Sequence, residues 1–207
     1  MATTDLDGSP FPVSAVEGDQ IVFRLADANH ELSGVRLWQQ LGLEDDRLDF
    51  ATVDGGWELR IPRPPVLRME YLFATHTDDG AVTTGVDPTN PLRVNGPFGE
   101  HSVIELPGYA APKWFTAEAV ESRLEPLTVT ATPVGEVAVQ VWSPADSTPT
   151  DELPLLLSHD GPEFASYAGL TQFVGALIAA GSLPRLRLAL LTPGDRNVWY
   201  SANDDYA

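Results

Sequence analysis

The sequence contains no cysteine. That excludes disulfides, thiolate-bound metal and a cysteine nucleophile together, and it leaves the redox compartment unmarked. Basic residues are scarce: 12 Lys and Arg stand against 30 Asp and Glu, a net charge of −18. The deficit runs the length of the chain, with 8 basic and 18 acidic residues in 1–115 and 4 and 12 in 116–207. Such a surface repels both a phosphate backbone and an anionic bilayer, which argues against nucleic-acid and membrane partners. Long apolar runs are also missing, and none approaches the roughly 18 residues of a membrane span. Residues 1–20 have neither a basic stretch nor an apolar core, so they do not read as a signal peptide. There is no P-loop and no Gly-x-Gly-x-x-Gly, so no nucleotide cofactor is expected. The reading is of an acidic, cytoplasmic protein.

What is present is apolar material in short pieces. Hydrophobic residues make up 43% of the chain and five are Trp, enough for packed cores, and 207 residues allow one or two domains. Residues 1–19, with Gly8, Pro10 and Pro12, read as a polar lead-in too irregular to bury anything. From 20 to 106 the text is β-like, with strands expected at 20–25, 34–39, 57–61, 68–75 and 102–106 and weaker ones at 48–52 and 80–84. Trp57, Leu59 and Ile61 alternate with Glu58 and Arg60, as in a strand with one buried face. Asp54-Gly55-Gly56 and Asp78-Asp79-Gly80 are turn signals, and the two prolines of Asp87-Pro88-Thr89-Asn90-Pro91 mark an ordered loop. So many short strands predict a sandwich of immunoglobulin type over 20–115.

After Trp114 the pattern changes. A short helix or linker is expected at 116–126, then strands at 127–132 and 136–142. The run 153–157 is continuously apolar and predicts a strand buried on both faces, as does 186–192. Between them Leu170, Phe173, Val174, Leu177 and Ile178 mark one face of a helix, with Gly181 and Pro184 ending it. A strand–helix–strand unit of this length implies a parallel pair, so residues 127–207 read as α/β, with a further helical turn beginning near Ser201.

Leu155-Leu156-Leu157-Ser158-His159-Asp160-Gly161-Pro162-Glu163, together with Asp195-Arg196-Asn197-Val198-Trp199-Tyr200-Ser201-Ala202-Asn203, resembles the enterochelin-esterase-like branch of the esterase D family. Trp57, the Tyr71-x-Phe73 strand and the Asp87–Pro91 turn are similar to features of that family's immunoglobulin-like first domain. The resemblance implies an immunoglobulin-like sandwich followed by the N-terminal portion of an α/β-hydrolase domain, and a carboxylic ester, such as a siderophore ester, as the small-molecule substrate. Family members carry a Gly-x-Ser-x-Gly elbow soon after this point. None of the eleven serines here has glycine at both −2 and +2. The resemblance therefore implies the front half of an enzyme whose nucleophile, acid and histidine follow residue 207, and a chain that alone is inactive. Two other readings stand beside it: a non-catalytic module whose sandwich binds a partner protein or glycan, and an interaction half completed by a separate chain. An incomplete sheet would also expose apolar strands to self-association.

By the same resemblance, the 159–163 loop lends a backbone N–H to an oxyanion hole. Pro162 has none, so the candidates are Gly161, Glu163 and Phe164. The plainer alternative is a strand-to-helix turn stitched by Asp160. Arg196 follows an expected strand and should stand at the carboxyl rim of the sheet, where Asp160, Arg196, Trp199 and Tyr200 are candidates for a substrate pocket. The alternatives are an arginine that bonds loop carbonyls, and aromatics that pack. His159 does not stand where the family's catalytic histidine does. His76, Asp78 and Asp79 are explained by the turn at Gly80, Asp5-x-Asp7-Gly8 lacks the rest of a calcium loop, and no metal is expected. Trp38, Trp57 and Trp114 could form a sugar platform, but core packing is the commoner fate of such residues.

Overall fold

A computed structural model describes residues 11–130 and 132–200. The chain divides into two compact units, Met1–Ala110 and Ala111–Ala207. Asp5-x-Asp7-Gly8 and the helical turn expected after Ser201 lie outside the described residues.

The first unit is built from β1 (Ala15–Glu17), β2 (Gln20–Ala26), β3 (Gly34–Gln39), β4 (Ala51–Val53), β5 (Gly56–Pro62), β6 (Arg68–His76), β7 (Val82–Gly85), β8 (Arg93–Gly96) and β9 (Gly99–Glu105). They form two antiparallel sheets, ordered β1-β2-β5-β4 and β3-β6-β9-β8, with β7 also on β6. The sheets share one core: Ile21, Phe23, Leu59 and Ile61 from the first meet Leu37, Met69, Tyr71, Phe73 and Ile104 from the second. Each fully buried Leu, Ile or Phe stabilises the unit by about 1.5–3 kcal/mol. The alternation at 57–61 is realised, with Leu59 and Ile61 buried and Arg60 exposed. Asp54-Gly55 makes the two-residue connection between β4 and β5, and Gly55 takes a positive φ of 79°, which glycine adopts without strain.

The lead-in is not idle. Phe11 is buried and β1 pairs with β2. Polar composition hid this, because the segment is held by charge as well as by apolar contact. The buried Arg24 donates from Nε to Glu58 Oε2 (2.8 Å), from Nη2 to Glu17 Oε1 (2.5 Å) and from Nη1 to the Val13 carbonyl (3.0 Å). Arg60 then bonds both of these glutamates, at 2.7 Å and 3.1 Å. The strand at 93–96 was also missed, since Arg, Asn and Gly are poor strand formers.

In the second unit, β10 (Ser122–Val129), β11 (Val137–Pro144), β12 (Leu155–Ser158) and β13 (Arg187–Leu191) make one sheet in the order β10-β11-β13-β12. Between β12 and β13 lie α1 (Gly161–Tyr167) and α2 (Leu170–Ala179), and α3 (Arg196–Trp199) follows β13. As expected, β12 runs parallel to β13 and the other pairings are antiparallel. Helix α2 ends as its sequence dictates: Gly181 has φ +67°, its N–H donates to the Ile178 carbonyl, and Ser182 N–H donates to that of Leu177. One sheet face, with Trp142, Leu188 and Leu190, packs against Val174, Phe173 and Leu170 of α2.

Two expectations are corrected here. The stretch expected as a short helix or linker at 116–126 is shorter: after a 3-10 turn at Lys113–Phe115, residues 116–121 are irregular and 122–126 already belong to β10. The leucines of 153–157 are not buried on both faces, for Leu155, Leu156 and Leu157 are 59%, 44% and 58% exposed. β12 lies at the edge of its sheet. Leu155 and Leu157 share the face of Ala189, opposite the one α2 covers. That open face is a groove of about 700 Å³, lined by Leu127, Val129, Val139, Leu155, Leu157 and Leu191 among others. By contrast β13 is central, and Leu188, Ala189 and Leu190 are buried as expected.

Candidate functional site

Because β12 and β13 are parallel neighbours with Ser158 opposite Leu190, the chain leaves both strands at the same edge of the sheet. Ligand sites in parallel sheets gather at this carboxyl edge. Here the strand register brings together two loops more than thirty residues apart in sequence. Arg196 Nε donates to Asp160 Oδ1 at 2.9 Å and its Nη2 donates to Glu163 Oε1 at 2.6 Å. Tyr200 donates its hydroxyl to the same Asp160 oxygen at 3.0 Å. The His159 ring packs edge-on against Tyr200, with centroids 5.6 Å apart. Four residues named from sequence, Asp160, Glu163, Arg196 and Tyr200, therefore form one cluster.

Local chemistry sets each position. Asp160 has a left-handed φ of 50°, uncommon for a residue with a side chain, and turns the chain from β12 into α1. Gly161 is buried, and a Cβ there would lie 2.3 Å from Leu190 Cα. Glycine is thus required where α1 meets β13. Pro162 is well suited to the first helical turn, where its missing N–H costs nothing. Phe164 N–H is occupied by the Asp160 carbonyl at 3.0 Å. Of the three named loop amides, that leaves those of Gly161 and Glu163, which no helical carbonyl reaches. On the other loop, Asp195 caps α3 by accepting from Asn197 N–H at 3.0 Å. Trp199 lies against Gly194, where a Cβ would come within 2.4 Å of the indole, and it packs beside Val137, Val139 and Ala189.

Electrostatically the cluster holds one cation between two anions. Hydrogen bonding to Asp160, opposed by partial desolvation and reinforced by Glu163, raises the Arg196 pKa above its ordinary value. The second carboxylate oxygen of Glu163 is buried and has no hydrogen-bond partner among the described residues.

The remaining candidates each have a local structural role. Trp57 donates Nε1–H to Asp27 Oδ2 at 3.0 Å on one sheet of the first unit. Trp38 packs against the His101 ring at a tilt of 52° on the other sheet, and Trp114 packs on Phe173 in the second unit. Asp79 accepts from Thr77 and the Ala81 N–H, as turn chemistry requires. Among the described residues no three His, Asp or Glu side chains are grouped as metal ligands, and no helix is long and apolar enough to cross a membrane.

Neither a protein-family model nor a curated protein matches the sequence. Among solved structures, the enterobactin esterase of Shigella flexneri with enterobactin is similar at a TM-score of 0.69 and 18% identity, over 93% of this chain and 58% of that one. The ferric enterobactin esterase of Salmonella typhimurium gives 0.67 and 18%, over 86% and 54%. The enterochelin esterase of Shigella flexneri gives 0.67 and 17%, over 93% and 58%. The chain thus spans under two thirds of the length of the structures it resembles, and the likeness is one of fold.

Proposed function

We propose that this chain is the N-terminal part of a serine carboxylic-ester hydrolase of the enterobactin-esterase kind, an immunoglobulin-like domain followed by the opening strands of an α/β-hydrolase sheet. The reading is carried by its fold likeness to the enterobactin esterases over 93% of its residues. It is supported by the place of the 159–163 loop, which leaves β12 at the carboxyl edge of the sheet, the edge from which a nucleophile elbow rises. In the complete enzyme the serine oxygen attacks the ester carbonyl, the alcohol leaves, and water releases the acid. One backbone N–H of the 159–163 loop, with the N–H of the residue after the serine, stabilises the oxyanion of each tetrahedral intermediate.

Lacking the elbow, residues 1–207 alone have no covalent step for these donors to support. The test is to translate the reading frame beyond codon 207, express the longer product and follow enterobactin cleavage by chromatography. A Gly-x-Ser-x-Gly motif whose serine is essential is the expected result, with the 207-residue chain at background. Turnover by this chain itself, abolished by a serine-directed inhibitor, would sink the proposal.

A further inference from the structure

As a candidate for a substrate pocket, Arg196 would suit an anion by its charge, but its bonding argues for a different task. Two of its three guanidinium nitrogens are committed to carboxylates of the loop that leaves β12, Nε to Asp160 and Nη2 to Glu163. With one positive charge between two negative ones, the cluster keeps a net negative charge and offers an anion no attraction. Asp160 and Glu163 frame Gly161 and Pro162 on either side, so one planar fork grips both ends of the segment that carries the candidate amides. Behind that segment Gly161 rests on Leu190 with no room for a Cβ. The left-handed Asp160 is thus restrained by the sheet on one side and by Arg196 on the other.

We propose that Arg196 is a positioning residue, which acts by bridging Asp160 and Glu163 and so fixes the 159–163 loop at the carboxyl edge of β12. Tyr200, on the same Asp160 oxygen, is its auxiliary. The proposal rests on the esterase reading for its catalytic meaning, but its physical content concerns this chain alone. An ammonium group carries its three donors on one nitrogen and lacks the rigid planar fork whose Nε and Nη2 reach Asp160 and Glu163 separately, so lysine should not fully substitute.

The test is amide hydrogen exchange, residue by residue, on the 207-residue chain and its variants Arg196→Met, Arg196→Lys and Asp160→Asn. The expected result is exchange at 164–167 faster by about tenfold or more in all three, with β13 and α2 unchanged. Combining Arg196→Met with Asp160→Asn should add little, because both remove the same bridge. Full rescue by lysine, or unchanged exchange in α1, would overturn the proposal. So would equal acceleration throughout 122–199, the mark of general stability. If Arg196→Met fails to fold, Asp160→Asn, which keeps the side chain's size, decides by the same comparison. No ester enters the measurement, so the failure of the esterase reading and the failure of this one are separate results.

Discussion

Asp87 is a charged residue with no exposed surface, and its neighbours explain how it stays there. The Tyr71 hydroxyl donates to Oδ2 at 2.8 Å, and Thr89 donates both its N–H and its hydroxyl to Oδ1 at 2.9 Å and 2.7 Å. Asn90 in turn donates to the Tyr71 oxygen at 3.0 Å. A buried carboxylate is tolerable when its acceptor sites are filled in this way. Burial first, then the charge of Asp87, raises the Tyr71 pKa, and the opposing bond from Asn90 does not cancel them. A raised folded-state pKa contributes stability that is complete below the unfolded value of 10.0 and is lost as pH climbs above it. Tyr71→Phe should cost about 1–3 kcal/mol, read as a lower urea midpoint at neutral pH. It should also flatten the alkaline fall in stability, and an unchanged midpoint would show that Thr89 suffices for Asp87. The prolines on either side of Thr89 and Asn90 announced the turn. Nothing local announced that its aspartate would be buried, because the tyrosine that hides it stands sixteen residues earlier.

At the scale of elements, legibility follows whether the cause is local. Helix α2 could be read with its end, since both the apolar spacing and the Gly181 turn are written within a dozen residues. The parallel pairing of β12 with β13 followed from the same stretch. Edge position is not local, and so Leu155–Leu157 looked interior: an apolar run records what a strand can bury, not what covers it. The cluster at the carboxyl edge shows the same limit: Asp160, Arg196 and Tyr200 can be grouped as one rim from sequence, but their mutual bonds and the share of Glu163 in them depend on register. The tight seat of α1 on β13 gives this scale its prediction. Gly161→Ala drives a methyl into Leu190, and overpacking of this kind costs about 1–3 kcal/mol. Exchange of the Leu188–Leu190 amides should quicken while β2 and β6 in the first unit keep their protection. Undisturbed β13 amides would mean that α1 shifts freely.

Across the whole molecule, a net charge of −18 and an open apolar sheet face act against each other. The charge keeps copies apart at low salt, and screening shortens that repulsion to about 8 Å at physiological ionic strength. The groove and the uncapped edge of β12 are then free to associate. Light scattering should rise with salt and concentration for the native chain. Leu157→Glu, at a position 58% exposed, should suppress the rise with little change in melting temperature. An equal rise in both would place association elsewhere.

The register of Ser158 against Leu190 has a consequence for how this chain tolerates inherited change. Substitutions along β12 alter what the strand presents but leave Asp160 where Arg196 finds it. A one-residue deletion between Thr148 and Ser158 that slipped the pairing would move Asp160 by about 3.3 Å and reverse the face on which every β12 side chain stands. The loop cluster is therefore encoded in spacing more than in lettering. Descendants of this chain could drift far in strand composition and still conserve the count of residues from Leu155 to Asp160.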